Sequence, residues 1–582
     1  MNPSTIFLYG PPGSGKSTIG RILADNLHLP FYDLDVEIEN RSGCTVAQIF
    51  LQQGESGFRD MERQEIERLL TLGKAVVALG GGSLTVPAVC ALAEVNGTVL
   101  CLDAAPGVLL DRLQTDPVPG DRAVGRSLPA FARLNRQRPL LAGDAAAKLA
   151  DLLAQRAEHY ASFPVRLDTT QLDPAQAAWE VQIILGRFRV GMVSPSYEVC
   201  IQPGALDTIG QALSERDIHG PLALVTDSNT APLYATRVAA SLESAGLSLQ
   251  LVVIPAGESN KTIASAQKLW ENFLDASLER GCTVIALGGG VVGDLTGFAA
   301  STYMRGIQWV NVPTTLLAMV DSSLGGKTGV DIPRGKNLIG AFHPPSFVLA
   351  DPEVLATLPE AEFRSGLAEV IKHAIIGDPG LLNKVAVYKI GNWRYRTPLG
   401  DLGSVGAGER KEHASGPAPT AQISGLFPLS ELVSRAMAVK IGVIETDPYE
   451  KGVRAALNLG HTVGHALELV SGYRLRHGEA VAIGMVVEAR LAERLGLAEG
   501  GLSLHIATVL AEVGLPVAIP GDLDRAAIRR AIGVDKKKAQ GRVRFALPTR
   551  IGQVQIGIDV PDDVLASEIG SIPVETAQGE TP

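Results

Sequence analysis

Residues 5–17 read TIFLYGPPGSGKS, an apolar run that leads directly into a glycine-rich turn and a helix-like segment. The turn has the pattern G-x-x-x-x-G-K-S, in which glycines let backbone N–H groups wrap phosphate oxygens and the helix N-terminus adds partial positive charge. This context predicts a P-loop on a parallel α/β sheet that binds ATP with Mg²⁺. The candidate ATP-binding residues are Gly13, Gly15, Lys16, Ser17 and Thr18, with Ser17 also at the Mg²⁺ ion.

Two more segments near the N-terminus carry candidate site residues. Asp33 and Asp35 follow the apolar pair at 31–32. Two acids that are two residues apart at a strand end point the same way, so one can serve a metal and the other a substrate hydroxyl. A solvated turn is the alternative for this pair. A plain tight turn is the alternative for Gly80, Gly81 and Gly82, which end the apolar run 75–79.

Length and composition restrict the class of protein. A chain of 582 residues is too long for one hydrophobic core, so we expect several domains. The net charge of −10 argues against a general nucleic-acid binder. Five scattered cysteines indicate reduced thiols in a cytoplasmic protein, and the sequence has no apolar run of the ~18–20 residues that span a membrane. We therefore expect small-molecule substrates and neither nucleic acid nor membrane as a partner.

The alternation of segments changes along the chain. Apolar strand-like runs alternate with helix-like segments to about residue 350, and helical periodicity dominates afterwards, as at 360–376 and 429–444. The predicted fold class is α/β: a P-loop domain with helices on both faces of a parallel sheet, then a Rossmann-like nucleotide domain, then a mostly helical metal-binding domain. The predicted boundaries are 1–172, a linker at 173–195, 196–350, 351–575 and a tail at 576–582.

One segment interrupts the helical pattern. Residues 391–425 are rich in glycine and proline and lack apolar periodicity. Helix-to-helix connections usually take about 2–8 residues, so a longer irregular stretch is unusual. We interpret it as an insertion that contributes to neither site; a lid over the neighbouring site and a corrupted reading frame are the alternatives.

A second glycine-rich turn lies at residues 288–294, which read GGGVVGD after the apolar run 283–287. It contains G-x-G-x-x-G between a strand and a helix, but the acid expected about twenty residues later is missing. The turn favours dinucleotide binding without establishing it. Asp227, at the end of the run 222–226, is a candidate for a ribose hydroxyl, and Asn229 lies just beyond it.

Metal-type residues are concentrated in the helical part. His461 and His465 are four residues apart, and His477 follows; Glu369 and Lys372 are three apart on one predicted helix. Packed histidines and a surface ion pair are the alternative interpretations. Mixed His and carboxylate ligation suits a catalytic Zn²⁺, but spacing alone leaves open which two histidines bind.

Over roughly residues 1–172 the chain resembles shikimate kinase. The segments that carry the resemblance are the P-loop, FYDLD at 31–35, GESGFR at 54–59 with Glu62, and the triple glycine. The resemblance implies ATP-dependent phosphorylation of shikimate, with Asp33 acting on Mg²⁺ through water and Arg156 on the substrate carboxylate. It places shikimate at Asp35, Arg59, Gly80, Gly81 and Gly82.

The lid of the kinase has more than one candidate arginine in the sequence. Arg138, in RPLL at 138–141, matches the arginine of the family's lid. Extra residues separate Arg112 from Arg138, so other arginines are alternatives for this role: Arg122, Arg126, Arg133 and Arg136.

Residues 196–570 resemble 3-dehydroquinate synthase. The matching segments, in order, are GESNKT at 257–262, 288–300, YMRG at 303–306, PTTLLA at 313–318, DSSLGGKTG at 321–329, GKN at 335–337, EVIK at 369–372 and 454–465. The resemblance implies conversion of 3-deoxy-D-arabino-heptulosonate 7-phosphate to 3-dehydroquinate with release of phosphate, using NAD⁺ and Zn²⁺ or Co²⁺.

The same resemblance implies residue roles. Glu369, His461 and His477 are the implied metal ligands, His465 contacts substrate, and Arg305 reaches a partner subunit's site, which implies a homodimer through this half of the chain. The implied NAD⁺ residues are Asp227, Asn229, Glu258, Lys261, Gly289, Gly290, Asp294, Thr314, Thr315, Asp321, Lys327 and Lys336. The implied residues around the phosphorylated substrate are Asp321, Lys327, Asn337, Lys372, Lys440, Arg454, Asn458 and one of Lys536 and Lys537.

Two alternatives remain at the level of sequence. The second half could be a metal-dependent polyol dehydrogenase, which would not need the phosphate-facing Lys327, Lys372, Lys440 and Arg454. The first half could be a non-catalytic ATP-sensing module. Net NADH formation would favour the former, and ATP binding without shikimate-stimulated ADP release the latter.

Overall fold

The structure, a computed structural model, describes residues 5–115, 145–388, 428–536 and 543–570. The chain divides into two compact units, Met1–Arg189 and Val190–Pro582. Several sequence predictions lie outside the described residues: the lid arginine Arg138 with its four alternatives, Lys537, the segment 391–425 and the tail 576–582. Lys536 ends a helix, but its side chain is not described.

The first unit is built on five strands in the order β2-β3-β1-β4-β5, and every pair of neighbours is parallel. The strands are β1 (Thr5–Tyr9), β2 (Phe31–Asp33), β3 (Val76–Ala78), β4 (Gly97–Asp103) and β5 (Arg166–Asp168). The helices are α1 (Lys16–Leu27), α2 (Leu34–Ser42), α3 (Val46–Thr71), α4 (Pro87–Asn96), α5 (Pro106–Thr115), α6 (Ala145–Ala161) and α7 (Pro174–Leu185).

Both faces of this sheet are covered, as the sequence predicts. Side chains alternate along a strand, so Ile6 and Leu8 of β1 pack in one core with α1 and α7. Phe7 and Tyr9 point to the other face and pack in a second core with α2, α3, α4 and α6. Because β1 is fully buried, its carboxyl end is held rigidly at the edge where the P-loop begins.

Helix α7 corrects the assignment of residues 173–195 to a linker. Ala177, Ala178 and Val181 of this helix are buried in the core that contains Ile6. Pro174, which suggested a linker, occupies the first turn, where a missing N–H costs no intrahelical hydrogen bond. The carboxylate of Asp173 caps the same turn. Residues 174–185 are therefore part of the first unit.

A second sheet follows, in the order β6-β7-β14-β11-β10-β8-β9, and all of its strands after β6 belong to the second unit. Its strands are β6 (Arg187–Val190), β7 (Tyr197–Ile201), β8 (Leu222–Asp227), β9 (Leu249–Ile254), β10 (Thr283–Gly288), β11 (Gln308–Pro313) and β14 (Phe347–Ala350), while β12 (Lys327–Ile332) and β13 (Gly335–Phe342) form an antiparallel hairpin. The helices between them are α8 (Ile209–Ser214), α9 (Thr236–Ser244), α10 (Ile263–Asp275) and α11 (Gly290–Thr302). The pairs from β7 to β9 are parallel, in agreement with a Rossmann-like domain.

Helices dominate after residue 350, as the periodicity predicts. They are α12 (Glu360–Gly377), α13 (Pro379–Val385), α14 (Leu429–Thr446), α15 (His461–Val470), α16 (His477–Arg494), α17 (Leu502–Glu512), α18 (Arg525–Lys536) and α19 (Asp562–Gly570), with one hairpin of β15 (Arg544–Arg550) and β16 (Gln553–Asp559). Apolar residues of α15, α16, α18 and α19 share a core with this hairpin. Within the described ranges, none of the helices has the length and hydropathy to cross a membrane.

Candidate active sites

The P-loop of the first unit is closed by Lys16. Its Nζ atom donates to the carbonyl oxygens of Gly10 and Pro11, at 2.9 Å each. Gly13 and Gly15 have φ of 82° and 90°, and a Cβ atom on Gly13 would lie 2.6 Å from the carbonyl oxygen of Leu109. Only glycine fits such a backbone. The turn therefore presents N–H groups and one ammonium group at the start of α1, where Ser17 and Thr18 also lie.

Ser17 and Asp33 meet beside this turn. The hydroxyl of Ser17 donates to Oδ2 of Asp33 at 2.5 Å. Ser17 is in the first turn of α1, and Asp33 ends β2. Because parallel strands end at one edge of the sheet, the two oxygens converge next to the P-loop. This pair of hard oxygen donors fits a Mg²⁺ ion.

The triple glycine forms a floor between two arginines and one aspartate. A Cβ atom on Gly82 would lie 2.3 Å from Nη2 of Arg59 and 3.1 Å from Nη2 of Arg156. Nη1 of Arg156 also donates to the carbonyl oxygen of Gly81 at 2.8 Å. A Cβ atom on Gly80 would lie 3.3 Å from Oδ1 of Asp35. The structure thus brings together every shikimate-site residue that the sequence predicted and that it describes.

Glu62 holds Arg59 in place, a role that the sequence reading did not assign. Its Oε2 atom lies 2.6 Å from Nη1 of Arg59, three residues earlier on α3. Burial opposes the charge of Arg59, but Glu62 outweighs that effect and raises the arginine's pKa. The i, i+3 spacing of an acid and an arginine could have revealed the pair. Arg59 therefore remains a fixed cation at the floor.

In the second unit, predicted nucleotide residues lie at the carboxyl ends of β8, β10 and β11. Oδ1 of Asp227 accepts the backbone N–H groups of Asn229 at 2.8 Å and Thr230 at 2.9 Å. Gly289 precedes α11, and Gly290 begins it. A Cβ atom on Gly289 would lie 3.1 Å from Thr315 Cγ2, so glycine opens the space there. Thr314 lies beside Thr315 at the end of the neighbouring β11.

Lys261 contacts two other residues that the sequence predicted for the second site, Asp294 and Asn337. Its buried Nζ atom lies 2.6 Å from Oδ2 of Asp294 and 2.6 Å from Oδ1 of Asn337. Burial raises the pKa of Asp294, against the effect of Lys261. Nearby, Lys336 Nζ lies 3.5 Å from Glu258, and both residues line a cavity of about 730 Å³. The cavity gives this side of the sheet room for a ligand.

Three helices bring a carboxylate and two imidazoles together. Oε1 of Glu369 (α12) lies 3.7 Å from Nε2 of His461 (α15) and 3.5 Å from Nε2 of His477 (α16). One ligand atom from each residue fits within a 4.8 Å cluster. Glu369 is fully buried, which raises its pKa, but Lys372 and the histidines outweigh burial and lower it. A buried carboxylate with two imidazole nitrogens fits a catalytic metal ion.

His465 is placed differently from the other two histidines. It is exposed, and its ring centroid lies 5.2 Å from that of His461. It belongs to another possible group, with Glu468 and His477. Sequence spacing left the pair His461 and His465 open, whereas the structure groups His461 and His477 with Glu369.

Buried cations surround this cluster. Lys372 Nζ lies 2.5 Å from Oε2 of Glu369 and 3.8 Å from Oδ1 of Asp321. Lys440 Nζ lies 2.7 Å from the same Asp321 oxygen. Burial would raise the pKa of Asp321, but the two lysines lower it well below its ordinary value. Arg454 is also buried. Two buried lysines thus lie against two carboxylates, while Nη1 of Arg454 donates to the carbonyl oxygen of Pro448.

Other predicted residues lie nearer the surface of the second unit. Lys327 is half-exposed, and its Nζ atom lies 2.5 Å from Glu450. Asn458 is exposed at the end of a short helix, Val453–Asn458. Arg305 is exposed with φ of 70°, after α11.

Two residues of this region were missed by sequence reasoning. Glu468 lies 3.2 Å from Nδ1 of His477, and it is seven residues after His461, so both lie on one face of α15. His373, four residues after Glu369, is fully buried and lies 3.9 Å from Asp321. Burial lowers the pKa of His373 to about 3. Helical spacing signalled the position of each, but only the fold shows their neighbours.

Family models match three stretches of the chain. The shikimate kinase model matches residues 12–127. The 3-dehydroquinate synthase N-terminal model matches residues 251–365, and the C-terminal model matches 418–538. These stretches include the P-loop, the residues around Gly289, and both His461 and His477.

Curated relatives and a solved structure resemble the second unit. A 3-dehydroquinate synthase of a Synechococcus species is 43% identical over 386 residues, which are 66% of this chain and 98% of the relative. One from Symbiobacterium thermophilum is 45% identical, covering 59% of this chain and 88% of the relative. The structure of a 2-epi-5-epi-valiolone synthase from Streptomyces hygroscopicus, with NAD⁺ and Zn²⁺ bound, is 27% identical with a TM-score of 0.54, covering 64% of this chain and 95% of that one.

Proposed function

We propose how each active site works in this chain, which belongs to the 3-dehydroquinate synthase family and carries a shikimate kinase domain in its first unit. It is a bifunctional enzyme of the shikimate pathway. The first unit phosphorylates shikimate with ATP to give shikimate 3-phosphate. The second converts 3-deoxy-D-arabino-heptulosonate 7-phosphate to 3-dehydroquinate and phosphate.

For the kinase, we propose that the P-loop N–H groups and Lys16 bind the phosphates of ATP. Ser17 and Asp33 would hold Mg²⁺, which when bound supplies charge neutralisation on the phosphates. Asp35 orients the acceptor hydroxyl and can take its proton. The guanidinium groups of Arg59 and Arg156 bind the shikimate carboxylate, because both converge on the glycine floor without an intervening side chain.

For the synthase, we propose that Asp227, Gly289, Gly290 and Lys261 help to hold NAD⁺, and that Glu369, His461 and His477 hold Zn²⁺ or Co²⁺. When bound, the metal supplies Lewis acidity that lowers the pKa of a coordinated hydroxyl, and NAD⁺ supplies a hydride acceptor that is restored in each cycle. The observation that carries this assignment is the convergence of Glu369 Oε1 with Nε2 of both histidines.

The remaining polar side chains of the second unit bind and orient the anionic substrate. We propose that Lys372, Lys440 and Arg454 neutralise its phosphate and carboxylate. Asp321 forms an ion pair with each of the two lysines and so fixes the positions of their ammonium groups before substrate binds. Asn337, Asn458, Lys327 and Lys536 complete the proposed contacts, and we propose that exposed His465 also contacts the substrate.

We also propose a homodimer formed through the second unit. Arg305 is exposed on a short helix that follows α11, with its backbone in the left-handed region. Because the residue is exposed, its side chain is available to a second copy of the chain. A cytoplasmic location is our further proposal, supported by five free cysteines in the described part of the chain.

Each substrate supplied alone to the purified enzyme tests the two activities. Shikimate with ATP and Mg²⁺ should yield ADP and shikimate 3-phosphate. The heptulosonate phosphate with NAD⁺ should yield 3-dehydroquinate and phosphate in equal amounts, without accumulation of NADH. Accumulated NADH in the second reaction would indicate a dehydrogenase instead.

A further inference from the structure

The two ring nitrogens of His477 face two different carboxylates. Its Nε2 atom lies 3.5 Å from Oε1 of Glu369, within the proposed metal cluster. Its Nδ1 atom lies 3.2 Å from Oε2 of Glu468. A ligating imidazole needs one nitrogen without a proton for the metal, and a carboxylate at the other nitrogen fixes that tautomer and the ring's orientation.

Glu468 is itself firmly placed. It is 7% exposed and lies on α15, the helix that also carries His461. Its other oxygen, Oε1, lies 4.0 Å from Nζ of Lys336. That lysine also stands over the ring of Tyr473, 4.4 Å from its centroid, and both residues line the cavity of about 730 Å³. The carboxylate is therefore fixed by its helix and by a cation.

We propose that Glu468 is a positioning residue that holds His477 in the tautomer and orientation for metal binding. This inference rests on the metal site of the proposed function. It adds a residue that binds neither metal nor substrate directly, yet sets how tightly the metal is held.

The same contacts allow a competing arrangement. Glu468, His465 and His477 also form a group that could hold a metal ion. Glu468 would then be a ligand, and His465 would replace His461. The cluster with Glu369 is the better site, because Glu369 is fully buried. A buried carboxylate without compensating positive charge is costly, and a bound cation offsets its charge. The exposed His465 offers no comparable gain.

The test is Co²⁺ binding to the full-length metal-free protein, followed by the visible ligand-field spectrum and by competition with a chelating indicator. The variants are Glu468→Gln, which keeps an acceptor for Nδ1–H, and Glu468→Leu, which does not. Glu493→Gln is the matched control, because Glu493 lies on α16 with His477 but accepts hydrogen bonds from Ser503 instead. Native-like circular dichroism and an unchanged kinase rate verify each protein.

We expect one Co²⁺ per chain at saturation in every variant. The dissociation constant should rise about 10- to 100-fold in Glu468→Leu and less in Glu468→Gln, with an altered spectrum in Glu468→Leu. Glu493→Gln should match the wild type. An unchanged dissociation constant in Glu468→Leu, or in Glu468→Gln if the leucine variant does not fold, would overturn the proposal. So would loss of stoichiometric binding in Glu468→Gln, which would make Glu468 a ligand. Retained Co²⁺ binding in His461→Ala would instead contradict the metal site itself.

Discussion

Lys372 and Glu369 form an ion pair in the core of the second unit, with Nζ of the lysine 2.5 Å from Oε2 of the carboxylate and both side chains buried. Burial alone would lower the pKa of Lys372, but Glu369 and Asp321 outweigh it and raise the pKa. The lysine therefore stays charged beside one oxygen of Glu369. The other oxygen faces the two histidines.

Because one oxygen of Glu369 faces Lys372 and the other faces the histidines, we can predict the metal content of variants. Glu369→Gln and His461→Ala should each lose bound Zn²⁺ and synthase activity, because the first replaces an anionic ligand with a weak neutral one and the second removes an imidazole. His465→Ala should keep Zn²⁺ and lose only turnover. Metal analysis of the purified variants measures this. Zn²⁺ lost from His465→Ala but kept in His461→Ala would reverse the assignment of ligands.

Lys16→Ala should abolish the kinase and leave the synthase unchanged. The ammonium group stabilises charge on the transferred phosphoryl group, and loss of one such contact costs about 10²–10³ in rate. The residue lies in the first unit, while all proposed synthase residues lie in the second. Both rates are measured on one preparation, with Lys74→Ala as a control in the same unit. Equal loss of both activities would contradict separate sites.

Arg305→Ala should inactivate the synthase when alone and recover activity in mixed dimers. If the arginine acts across an interface, a heterodimer with a Lys327→Ala chain contains one site in which both residues are intact. Differently tagged chains should be co-expressed and the heterodimer isolated through both tags. Activity clearly above that of either parent is expected. Purified heterodimers without recovery, or a wild-type monomer in solution, would count against trans action.

The contribution of Glu488 to the stability of the second unit should fall as pH rises from about 5 to about 8. Burial raises the pKa of Glu488 to about 8, although backbone N–H groups at the start of α15 oppose this. An unfolded glutamate titrates near 4.3, so the folded state binds the extra proton in this window. A group of this kind contributes stability below the unfolded pKa and loses it as pH rises through the folded pKa.

Denaturant unfolding of metal-free protein measures this effect. The free energy of unfolding of the wild type should change with a slope that differs from that of Glu488→Gln by at most about 1.4 kcal/mol per pH unit. The glutamine variant should show the flatter curve. Glu479→Gln, at a half-buried capping position on α16, is the control. Parallel curves for the wild type and Glu488→Gln would contradict the raised pKa.

Local sequence predicted the parts of the fold that local physics determines. The P-loop, the alternating strands and helices, and the change to helices after residue 350 follow from glycine placement and apolar periodicity. Pro174 misled the prediction because a proline marks a linker and a first helical turn equally well. The core positions of Ala177 and Val181 could be assigned only with the sheet in place.

The candidate sites divide in the same way. The roles of residues that are adjacent in sequence, such as Lys16 and Ser17, can be predicted from a motif. His461 and His477 lie on different helices from Glu369, so their convergence depends on tertiary packing. The resemblance to a known family supplied that grouping, while spacing alone left His461 and His465 open. Glu468 was missed because its partner, His477, lies on the next helix and no periodicity connects them.

One measurement tests the two-site account most directly: both reaction rates of a single preparation after chelation and readdition of metals. The enzyme is treated with a chelator, the chelator is removed, and excess Mg²⁺ is restored. The kinase should return to its full rate, while phosphate release from the heptulosonate phosphate stays abolished until Zn²⁺ or Co²⁺ is added. A synthase that recovers with Mg²⁺ alone, or a kinase that requires Zn²⁺, would contradict the assignment of Glu369, His461 and His477 to a separate metal site.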